Sequence, residues 1–168
     1  ADVSNAFAEA PPPVYPLYMR IDEAYRDWWE NCLQRSPIPP QCTVVRVNNA
    51  IQGHPESPRL WEKHIDGILK ALGLTPATHE PCLYSGHYNG TKVLFLRQVD
   101  DFAVASSKKA DAESLITAIN EKMRIEVKHL GVIDWFNGMD ITQSRYFVKI
   151  TCAKYLKKMI KGHQDLLQ

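Results

Sequence analysis

Two adjacent aspartates, Asp100 and Asp101, lie between two apolar runs in the stretch VLFLRQVDDFAVAS, residues 93–106. Runs of β-branched and aromatic residues around a few polar ones predict a hairpin with the aspartates at or near its tip. Two like charges this close repel each other and are costly to bury unpaired. They indicate either a solvated turn, where Asp is common, or a site for a hard divalent cation such as Mg²⁺ or Mn²⁺.

A third carboxylate for such a site is available at Asp2, in the stretch DVSNAF. If Asp2 ends a strand beside the predicted hairpin, three carboxylates converge. Two metal ions about 4 Å apart could then hold the attacking and the leaving oxygen of an in-line phosphoryl displacement. This combination predicts the chemistry of a polymerase.

Composition sets broad limits on what the chain can be. It has 168 residues, 45% of them hydrophobic, which is typical of one globular domain. The net charge of +1 does not by itself indicate a highly charged partner. The four cysteines form no C-x-x-C pair, which argues against structural zinc. Without a signal peptide or an apolar run long enough to cross a bilayer, we expect an intracellular, reducing setting and no membrane partner.

Several helices and strands are expected to position the carboxylates. Ser57 as N-cap, Pro58 and a periodic apolar pattern up to Gly73 predict an amphipathic helix. Asn89-Gly90 predicts a hairpin turn. The other predicted elements are a helical segment at 19–33 in the Pro-rich region 8–56, strands at 82–85, 92–96, 102–105 and 124–128, a helix at 110–123, a hairpin of 135–141 with 146–150, and a helix from Thr151 that ends before Gly162. The order predicts an α+β fold, an antiparallel sheet with helices packed on one face.

Six motifs in register resemble the reverse transcriptases of copia-type long-terminal-repeat retrotransposons. In chain order they are DVSNAF, VYPLYMRI, NNAIQGHPESPRLWEKHIDGIL, HEPCLY, QVDDFAVAS, and HLGVIDWFNGMDI with ITCAKYLKKMI. The resemblance covers nearly the whole chain. It implies RNA-directed DNA polymerisation, with a partial palm at residues 1–150 and the start of a thumb or connection helix at 151–168. It also implies that the fingers are missing and the thumb truncated, so we expect little activity from the chain alone.

The resemblance also assigns roles to particular residues. Asp2, Asp100 and Asp101 match the catalytic carboxylates that bind two Mg²⁺ or Mn²⁺ ions. Phe7 matches the aromatic that excludes a ribose 2′-hydroxyl; the alternative is a core Phe on the turn from strand to helix. Gln52 and Gly53 match a pair that holds nucleotide and template, and they could also form a turn before the helix.

Three further assignments are more open. Lys128 lies near a family lysine that protonates pyrophosphate, but a solvated lysine is a common alternative and His129 is an equally suitable proton donor. Gln98 stands where the family carries an aromatic that packs near the primer end. The basic residues of the last helix could track a nucleic-acid backbone or form an ordinary charged outer face: Lys154, Lys157, Lys158 and Lys161.

The implied partners are an RNA template, a DNA primer, deoxynucleoside triphosphates and the rest of a retrotransposon polyprotein. The implied location is the cytoplasm, in a virus-like particle. Two alternatives remain at this point. One is an inactive remnant of such an element, and the other is a non-catalytic α+β module that binds single-stranded nucleic acid on its sheet.

Overall fold

The computed structural model describes residues 1–164, which form two compact units. The first unit comprises residues 1–5 and the described residues from 67 onward, and the second comprises residues 6–66. Asp2, Asp100 and Asp101 therefore share the first unit. Phe7, Gln52 and Gly53 belong to the second.

The chain combines helices with runs of antiparallel strands, which agrees with the predicted α+β class. In chain order the strands are β1 (Asp2–Val3), β2 (Tyr18–Arg20), β3 (Val44–Arg46), β4 (Leu74–Pro76), β5 (Leu83–Tyr88), β6 (Thr91–Gln98), β7 (Asp101–Ser106), β8 (Val127–Lys128), β9 (Trp135–Phe136), β10 (Met139–Gln143) and β11 (Val148–Thr151). The α-helices are α1 (Glu23–Asp27), α2 (Ser57–Ala71), α3 (Lys109–Glu121) and α4 (Ala153–Gln164). Among residues 1–164, no helix is long and apolar enough to cross a bilayer.

The main sheet of the first unit has six antiparallel strands in the order β4-β5-β6-β7-β1-β8. Strands β5 and β6 are joined by Asn89 and Gly90, whose φ angles of 50° and 77° are those that a two-residue turn needs. Along β6 the side chains alternate, with Val93, Phe95 and Arg97 buried and the residues between them more exposed. One face of the sheet therefore belongs to the core.

Helix α3 contacts β7 and β8 and contributes three buried residues, Leu115, Ile116 and Ile119. In the same core the rings of Phe95 and Phe102 lie 5.1 Å apart between centroids. Truncating a buried Phe to Ala typically costs about 3–5 kcal/mol. Aromatic packing of this kind fixes β6 and β7, the two strands that carry Asp100 and Asp101 at their junction.

A small sheet in the order β11-β10-β9 completes the first unit. The predicted unbroken strand at 135–141 is wrong, because Asn137 and Gly138 (φ 47° and 80°) turn the chain between β9 and β10. Helix α4 begins at Ala153 and continues through Gly162, so its predicted end before that glycine is also wrong. Residues 165–168 of the predicted thumb segment lie outside the described residues.

The second unit contains the two-stranded sheet β2-β3, helix α1 and a π-helical turn, Trp28–Cys32. The predicted helix at 19–33 therefore starts later than expected, at Glu23, because Met19 and Arg20 pair with β3. The Arg26 guanidinium donates hydrogen bonds to the carbonyl oxygens of Ile38 and Cys42, at 2.8 and 2.5 Å. These bonds hold the Pro-rich loop that precedes β3.

Candidate active site

Strand β1 brings Asp2 into register with both of its neighbours in the main sheet. Asp2 is paired with Asp101 of β7 on one side and with Lys128 of β8 on the other. Asp101 is in turn paired with Gln98 of β6. Directly opposed residues on neighbouring strands project from the same face. Gln98, Asp101, Asp2 and Lys128 thus form one line across four strands, which we call the polar row.

Backbone hydrogen bonds hold β1 in this register. The Val3 N–H donates to the Asp100 carbonyl oxygen at 3.0 Å, and the Phe102 N–H donates to the Ala1 carbonyl oxygen at 2.8 Å. Val3 itself is fully buried and pairs with buried Val127. Since a slip of one residue would expose Val3 and turn Asp2 to the core face, burial of Val3 favours the observed register.

Asp100 lies beside the polar row, in the turn between β6 and β7. This turn has only two residues, Val99 and Asp100, and Val99 adopts a φ of 55°. A positive φ is unusual for a β-branched residue and costs on the order of 1–3 kcal/mol. The position of the aspartates at the tip was predictable from the sequence, whereas the strain at Val99 was not. A two-residue hairpin loop requires positive φ, yet no Asn or Gly stands here to signal it.

The charges in the row act on Asp101. Its pKa is raised, first by partial burial and then by the neighbouring carboxylates of Asp100 and Asp2. Both causes disfavour the charged form of a carboxylate. The exposed Lys128 flanks Asp2 on the far side of the row. The cluster is therefore electrostatically suited to a cation placed between the carboxylates.

The residues fit a metal ion by donor chemistry but not yet by side-chain arrangement. Carboxylate oxygens are the ligands that Mg²⁺ and Mn²⁺ prefer. Within the described part of the chain, however, no group of three or more His, Cys, Asp or Glu side chains is placed to hold a metal ion. The backbone brings Asp2, Asp100 and Asp101 together, and their side chains would have to reorient for joint coordination.

The other predicted nucleotide-binding residues lie in the second unit. Phe7 is half-buried in a 3₁₀ turn, Ala6–Glu9, and Gln52 and Gly53 are exposed in a turn before α2. The Asn49 side-chain amide donates to the Ala8 carbonyl oxygen, and the Ala50 N–H donates to the Ala10 carbonyl oxygen at 3.1 Å. These bonds join the two turns that carry the predicted residues.

Gly53 occupies a position that favours glycine. Its φ is 91°, a conformation that residues with a Cβ rarely adopt. The turn closes with two hydrogen bonds to the Ile51 carbonyl oxygen, from the His54 N–H at 3.2 Å and from the Ser57 hydroxyl at 2.6 Å. The geometry of the turn therefore requires Gly53 independently of any role in binding nucleotide.

A cavity of about 750 Å³ adjoins the polar row in the first unit. Asp101 lines it together with mainly apolar residues of the two sheets: Leu94, Leu96, Ala103, Trp135, Ile141, Val148 and Ile150. The lining also contains charged or titratable side chains, namely Asp101, Glu113, Asp134, Lys109 and His129. Apolar walls with polar groups among them suit a ligand that has both an apolar and a hydrogen-bonding part.

Comparison with known proteins identifies one family. Residues 39–166 match the family model described as reverse transcriptase (RNA-dependent DNA polymerase). The matched range contains Gln52, Gly53, Asp100, Asp101 and Lys128. It begins after Asp2 and Phe7, whose assignments rest on the motif DVSNAF alone. No solved structure matches the chain.

Proposed function

This chain belongs to the reverse transcriptases, which are RNA-dependent DNA polymerases, and we propose that residues 1–150 form the palm in which a nucleotide is added to a primer 3′-hydroxyl. The observation that supports this most directly is the polar row. It places Asp2 beside Asp101, with Asp100 in the adjoining turn. A chain in which these carboxylates were scattered could not perform metal-assisted phosphoryl transfer.

In this proposal Asp2, Asp100 and Asp101 bind two Mg²⁺ or Mn²⁺ ions. Bound ions of this kind lower the pKa of the attacking hydroxyl and stabilise charge on the leaving pyrophosphate. The carboxylates position the reacting groups and lose their mutual repulsion when a cation neutralises it. The raised pKa of Asp101 supports this role, since burial and the carboxylates of Asp100 and Asp2 outweigh the attraction of the Ala1 ammonium there.

Lys128 is proposed as the general acid that protonates the departing pyrophosphate. Its position opposite Asp2 in the sheet supports the assignment, because it lies one strand from the carboxylates. His129 lines the cavity next to it and stays the alternative proton donor. Replacing Lys128 and His129 in turn by an uncharged residue distinguishes these two candidate proton donors.

The second unit would hold the incoming deoxynucleotide. Phe7 is proposed to exclude the ribose 2′-hydroxyl, and Gln52 and Gly53 to contact nucleotide and template. The hydrogen bonds that join their two turns support a shared role. The primer end is proposed to enter the cavity beside Asp101, with Gln98 hydrogen-bonding where an aromatic would stack.

We further propose that the chain comes from a copia-type retrotransposon polyprotein. In that setting its partners are an RNA template, a DNA primer, deoxynucleoside triphosphates and the rest of the polyprotein. It would act in the cytoplasm, within a virus-like particle. The motif series described above supports this origin.

Primer extension on an RNA template tests the proposal. The chain and its Asp100→Asn, Asp101→Asn double variant are compared with Mg²⁺, with Mn²⁺ and without metal, while Mn²⁺ binding is followed by electron paramagnetic resonance. We expect metal-dependent binding that the double variant loses, and only weak extension by the chain alone, which the double variant also loses. Equal Mn²⁺ binding by both proteins would contradict the metal site. Extension by the double variant would contradict the catalytic role, and tight metal-free RNA binding without extension would favour the binding-module alternative.

A further inference from the structure

A Pro-rich segment in the second unit, residues 11–16 (PPPVYP), is exposed to an unusual degree for its apolar content. Val14 is 85% exposed and Tyr15 is 82% exposed. Tyr15 is preceded by Pro12 and Pro13 and followed by Pro16. Nothing in the proposed polymerase chemistry uses these side chains.

The backbone of this segment is restricted by its composition. Proline fixes φ near −65° and has no N–H, and a residue that precedes proline is held in extended or polyproline II conformations. Both restrictions apply to Pro11 and Pro12, because each is a proline and each precedes a proline. Pro13 is buried in the second unit, and the chain bends at Val14 and Tyr15. The segment is therefore anchored at Pro13, restricted at its prolines, and bent where its tyrosine is exposed.

A second Pro-rich stretch of the same unit differs from residues 11–16, because side chains of this chain bind it. The loop with Pro37, Pro39 and Pro40 accepts hydrogen bonds from Arg26, and the Trp29 indole N–H donates to Ser36 at 3.0 Å. An arginine and an aromatic side chain of this chain thus hold that loop.

We propose that Pro12-Pro13-Val14-Tyr15 is a docking motif for a small protein domain of the WW type, which binds polyproline II segments in an aromatic-lined groove. Pro12 and Tyr15 are three residues apart, which is one turn of polyproline II, so a groove can receive both from one side. Docking straightens the bend at Val14 and Tyr15 and leaves buried Pro13 as the anchor. The restricted prolines lower the ordering cost of docking, so the rearrangement is confined to Val14 and Tyr15.

The local charges favour this type of domain over an SH3 domain. SH3 domains pair a Pro-rich core with a basic residue of the ligand, and residues 8–17 contain no Lys or Arg. The ring and hydroxyl of Tyr15 instead supply an apolar body with one polar end, which suits a groove that is closed by a hydrogen-bonding side chain.

Titration of the full chain with a purified WW domain tests the motif. We expect saturable binding that Tyr15→Ala and Pro12→Ala each weaken about tenfold or more. Tyr146→Ala is the matched control, because Tyr146 is 88% exposed but follows no proline. Circular dichroism verifies that each variant is folded.

Four outcomes would overturn the inference. They are no binding by the full chain, undiminished binding by folded Tyr15→Ala, equal weakening by Tyr146→Ala, and tighter binding to an SH3 domain than to the WW domain. A free peptide of residues 10–17 that binds when the full chain does not would also count against it, since the motif would then be inaccessible in the fold.

Discussion

The first unit contains two acidic positions with opposite electrostatics. Partial burial and the carboxylates of Asp100 and Asp2 outweigh the Ala1 ammonium at Asp101, and its pKa is raised. Asp140 of β10 receives both the ammonium of Lys154, at 2.8 Å, and the Lys154 backbone N–H, at 3.3 Å, and its pKa is lowered. Asp140 is satisfied by its own chain and fixes the start of α4. At Asp101 a bound cation would relieve the repulsion between the carboxylates that remains.

The contrast distinguishes carboxylates that maintain structure from carboxylates that are available for chemistry. An ion pair that also caps a helix lowers the energy of the folded chain directly. A like-charge cluster raises that energy, and a fold retains it where a ligand compensates. Four experiments test whether the two positions differ in this way.

The largest expected difference is in catalysis. Asp2→Asn should reduce primer extension about 100-fold or more, because it removes a ligand that acts on the reacting oxygens. Asp140→Asn should leave extension within about threefold, since its partner is Lys154. Single-turnover rates with Mg²⁺ measure both. Similar losses in the two variants would remove the distinction.

The next difference is in local opening of α4. Asp140→Asn removes the side-chain partner of the Lys154 N–H, so amide exchange in the first turn of α4 should rise severalfold. Asp2→Asn should leave exchange in α4 unchanged. Hydrogen exchange followed by mass spectrometry measures it. Unchanged exchange in Asp140→Asn would show that other contacts fix the helix.

Stability should respond to pH with opposite sign at the two positions. The raised pKa of Asp101 means that the folded chain binds a proton more tightly there, so this group's contribution falls as pH rises from 3.8 through the raised value. Asp101→Asn should therefore stabilise the chain at pH 7 and lose that advantage in acid. The lowered pKa of Asp140 stabilises the fold above 3.8 and ceases to do so as pH falls through the lowered value.

Urea denaturation at several pH values measures both effects. Asp140→Asn should destabilise at pH 7 and become neutral in acid, the reverse of Asp101→Asn. Added Mg²⁺ should reduce the benefit of Asp101→Asn, because the cation neutralises the same repulsion. Parallel pH profiles for the two variants would contradict the opposite signs.

The smallest effect is expected at the turn that carries Asp100. Val99→Gly removes the penalty of a positive φ and should stabilise the chain by about 1 kcal/mol, after the larger backbone entropy of glycine is offset. Asn89→Gly is a control at another positive-φ position, where Asn already tolerates the conformation. Equal gains in both variants would show that Val99 carries no special strain.

Local signals in the sequence predicted much of the framework. Alternation along β6, the Ser57-Pro58 signal for α2 and the Asn89-Gly90 turn act between near neighbours, and their elements appear where expected. Ser57 itself is the first residue of α2, not the residue before it, and its hydroxyl donates to the Ile51 carbonyl oxygen. Asn137-Gly138 carries the same turn signal, but the apolar residues around it suggested one continuous strand. The strain at Val99 left no signal, because the turn uses a residue that its geometry disfavours.

The candidate site was predictable only in part. Asp100 and Asp101 were placed correctly at a hairpin tip. The pairing of Asp2 with Lys128 depends on β1 and β8, which have two residues each. Strands this short show no periodic pattern in the sequence. Motif resemblance supplied what local physics could not, and the arrangement of the carboxylate side chains around metal stays a prediction.

The register of β1 also has a kinetic consequence. Ala1 and Phe102 are 101 positions apart, whereas the β6-β7 hairpin closes through two residues. Loop-closure entropy grows with the logarithm of separation, so joining β1 costs about 3 kcal/mol more than closing the hairpin. The hairpin with Asp100 and Asp101 should therefore form early, and Asp2 should arrive among the last contacts. Enzymatic competence would then be gained in the final step of folding and lost in the first step of unfolding.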